Sequence, residues 1–88
     1  MRIKIQFELT ELGDEIIAVP VGENMNEYNG VVRLNETASF IFKLMQNETS
    51  EEAIVQAMER KYKVAHEVLV KDVHKYIEDF RERGLLAE

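Results

Sequence analysis

Two periodicities divide this chain. Over its first third, apolar residues alternate with polar ones or gather in short runs. Ile3, Ile5, Phe7 and Leu9 are interleaved with Lys4, Gln6 and Glu8, the pattern of a half-buried strand over residues 3–9. Leu12-Gly13-Asp14 supplies a turn, and residues 14–21 read as a second strand, whose Pro20 confines its far end to an edge or a bulge. Residues 22–27 form a polar loop. It contains Met25, which would serve there either as an adaptable contact or as a plug under the loop. Residues 28–34 are a third strand, with Val32 and Leu34 pointing one way and Val31 and Arg33 the other. Loops this short between successive strands predict an antiparallel meander.

From residue 35 onwards the period lengthens. Ala38, Ile41, Phe42 and Met45 recur at i, i+3, i+4 and i+7, which predicts a helix over residues 36–46 with Asn35 as its N-cap. Asn47-Glu48 breaks it. Thr49-Ser50-Glu51-Glu52 has the form of a capping box, with Thr49 as N-cap and Glu52 three residues on. The helix it opens extends to about residue 62 and presents Ile54, Val55, Met58 and Tyr62 on one face. Tyr62 closes that stripe with its ring in the core and its hydroxyl expected at the surface. After Lys63-Val64-Ala65, a third helix over residues 66–83 places Leu69, Val73, Tyr76, Ile77 and Phe80 together. Gly84 suits the left-handed conformation that ends a helix, which returns Leu85 and Leu86 to the core. The expected fold is α+β and winged-helix-like: a three-stranded antiparallel β-meander followed by three helices (βββααα), as one domain over residues 1–88.

Composition narrows the function more than the fold. The 88 residues suffice for one modest core and leave little room for a deep active-site cavity. There is no cysteine, so neither disulfide nor thiolate chemistry is available. Residues 1–6 lack the apolar stretch of a signal peptide, and no run approaches a membrane span, so a cytoplasmic location away from membranes is expected. The formal net charge is −6, spread as −4 over residues 1–48 and −2 over residues 49–88. Neither half has the basic footprint of a nucleic-acid binder.

Catalysis needs a positioned acid, base, nucleophile or metal, and the chain offers none in a convincing arrangement. His66 and His74 are more than two helical turns apart, too far for joint metal ligation. Glu51-Glu52 and Glu78-Asp79 are adjacent in sequence and so diverge on a helix, where they read as a solvated face. No glycine-rich phosphate loop or exposed-serine turn occurs. No catalytic residue, metal ligand or cofactor site is assigned, and a non-enzyme is expected. The second and third helices would suit a helix-turn-helix that reads DNA. The third helix, however, carries Lys71, Lys75, Arg81 and Arg83 against five carboxylates, and phosphate neutralisation is the usual driving term for such binding. A DNA-binding regulatory domain and an obligate structural subunit of a larger complex remain as alternatives to a binding module.

The run Val32-Arg33-Leu34-Asn35-Glu36-Thr37-Ala38, then Phe40-Ile41-Phe42, then Thr49-Ser50-Glu51-Glu52-Ala53-Ile54-Val55, resembles the PqqD family. The resemblance continues through Tyr62-Lys63-Val64, Asp72-Val73 and Tyr76-Ile77 to Gly84-Leu85-Leu86, so it covers roughly residues 16–86. It implies a peptide-recognition domain of a pathway that modifies ribosomally made peptides. Such a domain binds the leader segment of a precursor peptide and presents it to a maturation enzyme, often a radical S-adenosylmethionine enzyme with an additional iron–sulfur (SPASM-type) domain. The acidic stretch before Gly30 and the 22–27 loop depart from the founding member, whose product is the quinone cofactor PQQ, and point to a different peptide product.

The residues support this independently. A third strand at the edge of a small meander carries unpaired backbone groups that need either protection or a use. Gly30, Val31, Val32, Arg33 and Leu34 contain no proline and a single charge, so little blocks the addition of an extended peptide. The resemblance places the peptide between this strand and the third helix, whose candidate linings are Val70, His74 and Arg81 on one flank and Asp72, Tyr76 and Asp79 on the other. The sequence does not say which flank faces the strand. Pairing of the same edge between two copies, as a homodimer, would satisfy it equally.

Overall fold

The computed structural model describes residues 1–23, 28 and 30–88. Met25, for which the sequence offers either a contact or a plug, lies outside the described residues, as do the rest of 24–27 and Asn29. The chain forms β1 (Arg2–Ile3), β2 (Phe7–Leu12), β3 (Glu15–Pro20) and β4 (Val32–Leu34), then α1 (Glu36–Leu44), α2 (Glu51–Lys61) and α3 (His66–Glu82), and ends in β5 (Leu86–Ala87). β2, β3 and β4 make an antiparallel sheet in that order, and the three helices follow, which is the expected βββααα arrangement. Pro20 ends the central strand beyond the three residues that β4 reaches, so its missing N–H breaks no ladder on that side.

The first strand differs from expectation. Ile3, Ile5 and Phe7 are all buried, yet the backbone is not one continuous strand. Ile3 N–H donates to the carbonyl of Met45 at 2.7 Å and Lys4 N–H to that of Leu85 at 2.8 Å. These bonds draw the chain's start towards the ends of α1 and α3, where β1 pairs with β5. Side-chain alternation reports burial and is blind to which backbone completes the ladder.

The core lies between the sheet and the helices, and Phe42 is its hub. This ring is fully buried and meets Phe7 of β2 edge-on at 5.3 Å and Phe80 of α3 at 5.6 Å. One aromatic side chain thus joins sheet, α1 and α3 in the T-shaped geometry that rings favour. Val32, Leu34, Ala38, Ile41, Met45, Ile54, Met58, Leu69, Val73 and Ile77 surround it, all buried as their periodicity predicts. Tyr62 is a correction. Its ring packs edge-on against Phe40 at 6.0 Å, and that packing turns its hydroxyl into the protein, where it is buried and finds no partner.

The helix ends show local chemistry at work. Asn35 Oδ1 accepts from Ala38 N–H at 2.7 Å, as a cap should. At α2 the cap is Ser50 and not Thr49: Ser50 Oγ accepts from Ala53 N–H at 3.1 Å. Thr49 is held outside the helix because its own N–H bonds the carbonyl of Met1 at 3.0 Å. The capping box slips by one residue, and Glu52 loses the reciprocal role. At the end of α3, Gly84 has φ +73°, its N–H reaches Arg81 O at 3.0 Å, and Leu85 N–H reaches Phe80 O at 3.0 Å. These are the paired bonds of a Schellman motif, and they set Leu85 fully into the core.

The slipped cap is testable by denaturant melts. Ser50→Ala should lower stability by about 1 kcal/mol, whereas Thr49→Ala, which removes no capping bond, should cost clearly less. The reverse order would restore the capping box at Thr49.

Candidate functional site

β4 is the outer strand of its sheet. It pairs with β3 through Ile16–Leu34, Ile17–Arg33 and Ala18–Val32, and no strand among the described residues lies on its other side. Backbone groups of a strand point alternately to its two neighbours, so about half of those on β4 face away from β3. Val32 and Leu34 are buried in the core and anchor the strand, while Val31 and Arg33 face outward. Gly30 enters the strand with φ +91°, and a Cβ there would meet nothing. The glycine therefore answers to backbone conformation and not to lack of space. Arg33 Nη1 lies 3.8 Å from Glu15 Oε2, both side chains being largely exposed, so the pair is worth little and is easily exchanged.

Asn35 closes one end of this edge. Its Oδ1 caps α1 while its Nδ2 donates to the Tyr76 hydroxyl at 3.1 Å. This side chain was legible in the sequence only as a cap; the spare amide of a capping Asn was the signal for a second contact. The bond also settles the geometry of α3. Its Tyr76 flank, shared at helical spacing by Asp72 and Asp79, faces the junction of β4 and α1.

The other flank faces elsewhere. His74 Nδ1 lies 3.2 Å from Glu51 Oε1 of α2. Val70 lines a shallow hollow of about 430 Å³ with Val55, Glu51, Glu59 and His66, between α2 and α3. Arg81 is forked between Glu88 (2.9 and 2.6 Å) and Glu78 (2.6 Å), which holds its guanidinium protonated far above neutrality. Of the expected site residues, then, Val32, Arg33 and Leu34 form the edge strand, which is shorter than the expected 28–34, with Gly30 and Val31 leading into it; Asp72 and Tyr76 share one helix flank, and Val70 and His74 reach towards α2. An open hollow of about 700 Å³ runs along the exposed side of α3 past Asp72, Tyr76 and Asp79, and His74 lines it too. Core periodicity could not make this division, because both flanks adjoin the same apolar stripe.

The electrostatics do not suit phosphate. Besides Arg81, the C-cap residue Arg83 is engaged by Asp79 at 3.3 Å, so two of the four Lys and Arg side chains on α3 and its cap are already paired. No group of three or more metal-ligating side chains occurs among the described residues, and none of their helices is long and apolar enough to cross a membrane.

A family model described as coenzyme PQQ synthesis protein D (PqqD) matches residues 22–86. No curated protein sequence matches the chain. Among solved structures, "TbiB1 in Complex with the TbiA(beta) Leader Peptide" is similar over the whole of both chains, with a TM-score of 0.74 at 19% identity. At that identity the likeness speaks for the fold.

One titration follows from the α2–α3 contact. The carboxylate of Glu59 bonds the His66 imidazole and holds its pKa above the usual 6.5. A raised folded value means that the pair's contribution to stability is complete below about pH 6.5 and is lost as pH rises through the folded pKa. NMR titration should place His66 above 6.5, and Glu59→Gln should bring it back towards that value. A wild-type value at or below 6.5 would show that the pair does not form in solution.

Proposed function

This chain belongs to the PqqD family, and from that premise we propose that it is a non-catalytic adaptor for a ribosomally made precursor peptide. The leader segment of the precursor adds as a strand to the free edge of β4, beside the α3 flank that carries Asp72, Tyr76 and Asp79. The recipient of the presented peptide is a maturation enzyme, for which a radical S-adenosylmethionine enzyme of the SPASM type is the family expectation.

The observation that carries this reading is the unpaired edge of β4, anchored from behind by Val32 and Leu34 and left uncovered in front. An edge that a protein leaves open invites pairing with another chain. Main-chain bonds would supply affinity and the flanking side chains specificity. That TbiB1, a chain of the same fold, is seen with a leader peptide lends support. The pairing of Arg81 and Arg83 with carboxylates tells against the DNA-reading alternative, since cations already neutralised release few counterions on binding phosphate.

The split of the α3 flanks sharpens the site. The Asn35–Tyr76 contact supports Tyr76 and Asp72 as the helix residues that meet the added strand, with His74 at the rim of the same hollow and Val70 towards α2. A disordered leader gives up roughly 2–5 kcal/mol to become ordered, which makes micromolar or somewhat tighter binding the expectation.

Proline substitution tests the ladder. Successive residues of a strand donate to opposite sides, so of Val31→Pro and Val32→Pro one must remove an N–H from the free edge. Val31 is exposed, and its variant should stay folded. Calorimetric titration with a leader peptide should show at least one of the two folded variants binding about tenfold more weakly than wild type, the equivalent of one charge-neutral ladder bond. Two folded variants that bind as tightly as wild type would exclude strand addition here.

A further inference from the structure

Between Lys4 and Lys43 the chain has a single Lys or Arg, Arg33, among seven carboxylates. The fold sets this cation at the centre of β4, the strand whose far side is open. Alternation turns Val32 and Leu34 to the core and Arg33 to the outer face of the sheet, where its side chain is 74% exposed.

Its neighbours within the sheet leave it available. The residue directly opposite on β3 is Ile17, which offers no charge. Glu15 lies two residues along that strand and reaches Arg33 only diagonally, at 3.8 Å, with 55% of its own side chain exposed. A pair so long and so wet contributes little. The open side is better placed. A strand added to β4 sets one residue directly opposite Arg33, with Cβ atoms about 4.5–5.5 Å apart, against about 7–8 Å between diagonal neighbours.

The surrounding charges make that position distinctive. The other charged side chains of the outer face, Glu8 and Glu15, are carboxylates. Towards α3 the charges offset one another: Glu78 and Asp79 are engaged by Arg81 and Arg83, and Asp72 and Glu82 line their hollow together with two lysines. An acidic side chain in an added strand therefore gains opposite Arg33 and meets its own sign elsewhere on the outer face.

We propose that Arg33 is a specificity-determining residue of the β4 edge, which selects leaders that carry an Asp or Glu side chain opposite it on the outer face of the sheet. The inference rests on the adaptor reading and names the class of peptide that the edge takes. Main-chain bonds hold extended chains alike, and side chains discriminate among them. The leader carboxylate takes the place of Glu15 at the guanidinium. It also fixes the register, because a slip of one residue would carry it to the opposite face. A charge on an edge strand can serve instead as a guard against pairing, and the two roles predict opposite effects when the charge is removed.

The test uses the whole labelled chain and, as probes, short synthetic peptides of alternating Val and Thr that differ only in a central Glu, Gln or Lys. Amide shifts should gather at Gly30–Leu34, and the Glu peptide should bind roughly fivefold more tightly than the Lys peptide, with Gln between them. Added salt should narrow the difference. Arg33→Gln should abolish the preference and Arg33→Glu should reverse it; the side chain is exposed, so both variants should melt as wild type does. Three peptides that bind equally at β4 would overturn the role of Arg33 and leave the adaptor reading standing. A preference that survives in Arg33→Gln would assign the selection to another residue, and tighter binding of all three peptides to that variant would make Arg33 a guard. No shifts at β4 with any peptide would overturn strand addition itself, and the proposal with it.

Discussion

Asn35 carries the constraint from which the rest of this structure follows. It is the residue after β4 and before α1, its carbonyl oxygen on the side chain caps that helix, and its amide bonds Tyr76 of α3. Three elements are fixed at one side chain. With α1 begun there, Val32 and Leu34 are committed to the core three and one residues upstream, and Phe42 arrives two turns later between Phe7 and Phe80. The edge of β4 is then left facing the Tyr76 flank. A strand of three residues gains little from its own ladder, so the burial of Val32 and Leu34 and the capping junction at Asn35 help to keep the edge in place.

Much of this is legible in the sequence. The period of 3.6 located all three helices and their buried faces, because an amphipathic stripe is a direct record of what a helix packs against. Alternation likewise set Val32 and Leu34 on one face and Val31 and Arg33 on the other, and the fold buries the first pair. Where expectation departed from the fold, a backbone bond of long range was responsible. The bond from Thr49 to Met1 moved a cap by one residue, and those from Ile3 and Lys4 to Met45 and Leu85 divided one strand in two. No local pattern encodes such partners. The Tyr62 hydroxyl was misplaced for a related reason: where a phenol points is decided by its neighbour, here Phe40, and not by its position on the stripe.

The candidate site was legible in part. Its strand followed from the absence of proline and from the single charge of residues 30–34. Its helix flank did not, since Val70 and His74 on one side of the core stripe and Asp72 and Tyr76 on the other are equivalent until something breaks the symmetry. Two contacts break it, Tyr76 with Asn35 and His74 with Glu51. The result is a small domain with surfaces of distinct chemistry. One is a bare backbone edge with a polar helix flank beside it, and the other a sheet face on which Leu12, Val19 and Val31 are exposed.

Strand addition at β4 is best tested by isotope-filtered NOE measurement on the labelled domain bound to an unlabelled leader peptide. A leader paired as a strand should show Hα and amide contacts across to Val31, Val32, Arg33 and Leu34 in a regular ladder, with side-chain contacts to Tyr76. A bound leader whose contacts fall instead along Val55, His66 and Val70, or on the outer sheet face at Thr10 and Val19, would contradict the account.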